Sequence, residues 1–206
     1  MYTDREALVR RGLLLNYATI GYNALEAIVS ILAGIVAGSV ALVGFGLDSV
    51  IEVTSAVAAR WRLRADADVS RREAAERGSL KIIGLSFLAL AAYVAYESVS
   101  SLWNHETPDR SIPGIGILAL SVIVMPWLSR HKRRVAQELE SKSLEADATQ
   151  TSLCAYLSAI ALTGVGFNAL FGFWWADPLA ALVMVPIIAR EGVEGMRGEK
   201  HCEDGC

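Results

Sequence analysis

A chain of 206 residues has room for one domain, and a charged content of 20% with a net charge of −3 would suit an ordinary soluble protein if the charges were spread evenly. They are packed instead between apolar runs long enough to cross a hydrocarbon core of about 30 Å, which takes roughly 20 helical residues. That pattern excludes a uniformly solvated globule, and three cysteines provide no disulfide framework.

Six spans are predicted, at about 13–36, 38–60, 80–103, 112–128, 146–170 and 175–190. The expected fold is an all-α membrane protein, a six-transmembrane-helix bundle. Residues 1–190 form the transmembrane domain and 191–206 a short cytoplasmic tail. Span 1 is too long for a signal-peptide core and lacks a clear small-residue cleavage site, so it is expected to stay in the mature protein. It carries a polar stripe, Asn16, Thr19, Asn23, Glu26 and Ser30, at helical three-and-four spacing. Gly34 and Gly38 then make a small-xxx-small pair suited to close helix packing.

Span 2 holds Asp48 and Glu52, four apart and so on one face, with Ser55 continuing that face toward the cytoplasm. Two acids one turn apart near the midplane repel each other when both are ionised, so they share a proton or hold a cation between them. Gly44-Phe45-Gly46-Leu47-Asp48 superficially resembles an intramembrane aspartyl protease signature, but the spacing is one residue too long and no second aspartate stands opposite. No phosphate-binding loop, Ser-His-Asp set or zinc-hydrolase motif is present, and no enzyme activity or resident cofactor is expected.

Span 3 places Tyr93, Tyr96 and Glu97 well into the membrane. Span 5 repeats the i,i+4 spacing with Gln150 and Cys154, preceded by Asp147 at the cytoplasmic mouth and followed by Ser158. Alone, Gln150 reads as interhelical glue and Cys154 as a small apolar filler; together with the acids they offer carboxylate, amide and thiolate donors. Gly164 and Gly166 read as packing positions. Span 6 is short and contains Pro178 and Pro186, which transmembrane helices tolerate when neighbours satisfy the freed backbone groups. Trp103, Trp127, Trp174 and Trp175 fall near span ends, where an interfacial aromatic belt is expected. In the tail, His201, Cys202 and Cys206 could capture ions before they enter the bundle.

Of the 19 Lys and Arg residues, Arg110 alone falls in a loop on the face opposite the others. Cytoplasmic loops are enriched in these residues, so an even number of spans puts both termini in the cytoplasm. The basic loops then face lipid headgroups, and no nucleic-acid partner is expected. Ionisable groups in the bilayer cost roughly 2.5–3.5 kcal/mol each on insertion scales, so three polar faces in one small bundle suggest a hydrated pathway between helices, while Asn16, Thr19, Asn23 and Ser30 suit interhelical hydrogen bonding equally well and Glu97 reads first as structural.

The stretch Gly38-Ser39-Val40-Ala41-Leu42, leading to Asp48-Ser49-Val50-Ile51-Glu52, resembles span 2 of the cation diffusion facilitator family. Ala146-Asp147 is similar to the opening of that family's span 5, and Asn23 through Ser39 to its first span and the following turn. The resemblance runs through all six spans and is to a compact branch lacking the C-terminal cytoplasmic domain. It implies export of a divalent metal in exchange for protons by a homodimer, in the cell membrane, a bacterial inner membrane. It also implies that spans 1, 2, 4 and 5 surround the ion and spans 3 and 6 stand beside them.

Carried over by position, the metal site is Asp48, Glu52, Gln150 and Cys154, with Asn23, Glu26, Asp147, Glu97, His201, Cys202 and Cys206 as accessory candidates. Most of the family has His or Asp followed by Asp where this chain has Gln150 and Cys154, and the aromatic, Gly and His residues common between spans 2 and 3 are missing. Four donors with a thiolate among them favour zinc, with manganese, iron, cobalt or cadmium as alternatives. The rival readings are an organic-cation or small-molecule exporter, which needs a larger aromatic-lined cavity, and a membrane scaffold that does not transport.

Overall fold

A computed structural model of the chain describes the backbone of residues 2–64, 69–138 and 142–197, and side chains over 8, 10–54, 56–57, 81–138 and 147–197. Six helices follow one another: α1 (Tyr2–Ala37), α2 (Val40–Arg64), α3 (Val69–Asn104), α4 (Ile112–Glu138), α5 (Lys142–Phe171) and α6 (Ala176–Arg197). Among the described residues there is no strand, and the fold is an all-α bundle. Four stretches, Arg10–Ala37, Lys81–Asn104, Ile112–Glu138 and Asp147–Phe171, are long and apolar enough to cross a membrane. Each predicted span overlaps one helix, spans 2 and 6 starting in the turns before α2 and α6, neither of which is among these four stretches, and α3 and α4 run well past their spans.

The distribution of side chains is inverted relative to a water-soluble globule. On α1, Leu25, Ile28, Leu32, Ile35 and Val36 are exposed, while Thr19, Asn23, Glu26 and Ser30 are buried on the other face. The pattern recurs around the bundle, with Ile112, Ile123 and Leu170 outside and Ser121, Lys132, Thr151 and Ser158 inside. In water so many exposed large apolar groups would be an aggregation hazard; in lipid they match the solvent, and the polar groups must find each other inside.

The turn between α1 and α2 is only Gly38 and Ser39, with Gly38 at φ 66°, a left-handed conformation that glycine adopts without a Cβ penalty. The Ser39 N–H then donates to the Gly34 carbonyl at 2.9 Å, closing α1. Ser39 also starts α2, its Oγ accepting from Leu42 N at 3.1 Å, as an N-cap does. Asp177 in the first turn of α6 completes this cap: it accepts from Ser39 Oγ at 2.6 Å and from Val40 N at 2.9 Å. A buried carboxylate thereby compensates the positive end of the α2 dipole. α6 is stapled to the helix that carries the paired acids.

α1 packs chiefly on α2, α4 on α5 and α3 on α6, while α2 also touches α3, α5 and α6. The α3/α6 pair approaches at backbone distance: a Cβ on Gly84 would stand 2.7 Å from Met196 N and 2.8 Å from the Gly192 carbonyl. The other glycines divide. Gly34 and Gly164 are packed against neighbouring helices as expected, whereas a Cβ on Gly166 would meet nothing within 4 Å, and Gly38 is a turn residue rather than a packing one.

Candidate functional site

Asp48 lies eight residues into α2, about 12 Å along its axis, and Glu52 one turn further. Both are buried, because their face of α2 is turned toward α5 and α6. There they line one narrow crevice with Gln150 and Cys154 of α5, so the four candidates named from the sequence share a single space. Phe87 of α3, Leu153 and Leu157 of α5, and Ile187, Ile188 and Glu191 of α6 form its remaining wall. α3 and α6 therefore close the site rather than merely standing beside it. The cavity volume is about 10 Å³, room for one water-sized body. No three Asp, Glu, Cys or His side chains among the described residues converge tightly enough to hold an ion as they stand, so the donors would have to draw inward around one.

The accessory candidates divide. Glu26 of α1 is fully buried beside the crevice, its Oε2 accepting from Ser49 Oγ of α2 at 2.9 Å and from the Cys154 thiol at 3.7 Å. Its Oε1 has no hydrogen-bond partner, and neither amide atom of buried Asn23 has one. The Thr19 hydroxyl, by contrast, bonds back to the Leu15 carbonyl at 2.9 Å. On α3 the expectation of an inward polar face fails: Tyr93 and Tyr96 are exposed, and half-buried Glu97 does not line the crevice. His201, Cys202 and Cys206 lie outside the described residues.

Sequence reasoning missed a second polar chain on the basic side of the crevice. Asp147 is held by Lys132 of α4, Nζ to Oδ2 2.8 Å. The same ammonium donates to Thr151 Oγ1 at 3.0 Å, and that hydroxyl stands 3.3 Å from Glu52 Oε1. The charge count alone assigns Lys132 to the basic loop after span 4. The helical period gave a signal, because Met125, Leu128, Ser129, Lys132, Val135 and Ala136 continue one buried face of α4 beyond the predicted end of span 4.

Several proteins are similar to this chain in sequence. The chain is 29% identical over 171 residues to the magnetosome protein MamB of Paramagnetospirillum magneticum, covering 78% of this chain and 56% of that one. It is 26% identical over 174 residues to an uncharacterized transporter of Synechocystis, covering 81% and 56% of the two chains. An uncharacterized transporter of Methanocaldococcus jannaschii is 24% identical over 174 residues, 82% of this chain and 61% of its own. The chain thus spans little more than half the length of these relatives. Residues 17–197 match the cation efflux transmembrane domain, a match that starts within α1 and ends on the last residue of α6. With apolar side chains outside, polar ones inside and this match through all six helices, the protein is an integral, multi-pass membrane protein of the cation efflux transmembrane domain family.

Proposed function

We propose that the protein carries a divalent transition-metal cation across the membrane by binding it between α2 and α5. The observation that carries this reading is the acid pair Asp48 and Glu52, buried on one face of α2 and sharing a crevice with Gln150 and Cys154. A crevice of about 10 Å³ suits a single dehydrated ion, whereas the cavity of about 350 Å³ beside it, which shares Leu153, Ile187 and Glu191, is lined by neither Asp48 nor Glu52. Two carboxylates supply the charge that balances a dication, and the thiolate tilts the donor set toward zinc over manganese or ferrous iron. The ligand atoms must lose protons to bind metal and regain them on release, so protons are the natural counter-ion, moving opposite to the metal.

Both termini lie in the cytoplasm, where the basic residues collect, and efflux runs from that side through a homodimer in the cell membrane. The site is reached in turn from each side as the helix pairs α1/α2, α4/α5 and α3/α6 shift against one another. Zinc flux into proteoliposomes tests the reading. The wild type moves zinc, and Asp48→Ala at equal protein abundance does not. Wild-type flux in Asp48→Ala would overturn the metal-site assignment.

A further inference from the structure

Lys132 lies in the last two turns of α4, on the side of the bundle where basic residues collect, yet it is 0% exposed. Lysines at membrane ends ordinarily extend their stems to bring the ammonium to water. This one is turned inward. It forms an ion pair with Asp147 at 2.8 Å and donates to Thr151 at 3.0 Å, and Thr151 is the hydroxyl next to Glu52 at 3.3 Å. An ammonium has protons to give and no lone pair, so Thr151 must accept from it. The hydroxyl proton of Thr151 is then directed to Glu52 Oε1 or to the Asp147 carbonyl at 3.0 Å. Glu52 Oε2 is buried without a hydrogen-bond partner. A fixed positive charge therefore stands one hydroxyl away from the Glu52 carboxylate.

Resting on the proposed metal transport, we infer that Lys132 is a tethered competitor of the transported cation. In the ion-free protein its ammonium offsets the negative charge of Glu52 and Asp147, which would otherwise sit uncompensated in a low-dielectric interior. When a dication arrives at Asp48 and Glu52, the ammonium becomes a like charge at close range, and the repulsion lowers the affinity of the site for the ion. Asp147, 14% exposed, keeps the ammonium from leaving altogether. The consequence is a site that binds and also lets go: Lys132 is a positioning residue that sets release, without ligating the metal itself.

The test measures zinc binding to the full chain in detergent, by competition with a chelating dye, together with zinc flux in proteoliposomes. Lys132→Met, similar in length and neutral, is expected to tighten zinc binding by about tenfold or more, worth about 1.4 kcal/mol, and to slow turnover. Lys132→Met combined with Asp147→Asn, which removes the ammonium together with its ion-pair partner, is expected to tighten it less, because the negative charge of Asp147 no longer adds to the attraction for the dication. Lys132→Arg is expected to keep the wild-type affinity. A purely structural lysine would give the opposite sign, with weaker or unchanged binding and lower thermal stability. Wild-type zinc affinity in both neutral variants overturns the inference while leaving the transport reading intact, provided Asp48→Ala abolishes binding. Absence of zinc binding by the wild type overturns both.

Discussion

Asp177→Ala removes the carboxylate that joins α6 to the start of α2. Two donors lose their acceptor, Ser39 Oγ at 2.6 Å and Val40 N at 2.9 Å, with Ser39 and Asp177 buried and Val40 half-buried. A hydrogen bond to a charged group contributes about 1.5–3 kcal/mol, which for two gives about 3–6 kcal/mol. In membrane proteins the unfolded state also finds partners, and measured pairwise terms fall well below that, so about 3 kcal/mol is expected. Asp177→Asn retains an acceptor but no charge to face the helix dipole, and about half the loss is expected. The assay is reversible unfolding in mixed micelles with increasing denaturing detergent. Because the lost cap is only about 12 Å along α2 from Asp48, zinc affinity should weaken modestly in the same variant. A stability change below about 0.5 kcal/mol for Asp177→Ala, the size of an ordinary surface substitution, would refute the claim that this carboxylate holds α2.

Cys154→Ser replaces a soft donor with a hard, weak one, and is expected to reduce zinc and cadmium transport more than manganese transport; an equal effect on all three would return Cys154 to packing. Metal binding should release protons and weaken as pH falls, because protons and metal compete for the same carboxylate and thiol atoms. Glu52→Gln should then reduce the number released, which calorimetry in buffers of different ionisation enthalpy counts directly; no release by the wild type would rule out this coupling. Gly84→Leu must force α3 from α6, since even a Cβ would stand 2.7 Å from Met196 N, and about 1–3 kcal/mol of stability should be lost. The same shift should move Ile187, Ile188 and Glu191 off the crevice and alter zinc affinity; unchanged thermal unfolding in detergent would refute the close α3/α6 contact.

Much of this protein was legible in its sequence. Apolar length and clustered charge dictate helices that cross a bilayer, because the hydrocarbon core offers no partner for open backbone groups. Helical period put Asp48 and Glu52 on one face, and the same i,i+4 arithmetic put Gln150 and Cys154 on another; the shared crevice shows those faces meeting. Periodicity, however, says which residues share a side of one helix and nothing about which side of a neighbour they meet. Tyr93, Tyr96 and Glu97 are as polar as the stripe on α1, yet α3 turns the tyrosines outward.

The direction each face takes was decided by tertiary packing. Gly84 and Gly192 draw α3 onto α6, and Asp177 pins α6 to α2, which together set what walls the crevice. Lys132 shows the same limit from the other side. Its charge counted toward topology along with every other basic residue, because insertion responds to where positive charge collects and not to where an ammonium finally points. Whether it reaches water or Thr151 depends on the length of α4 and on its contact with α5, two quantities that are settled only when the helices pack.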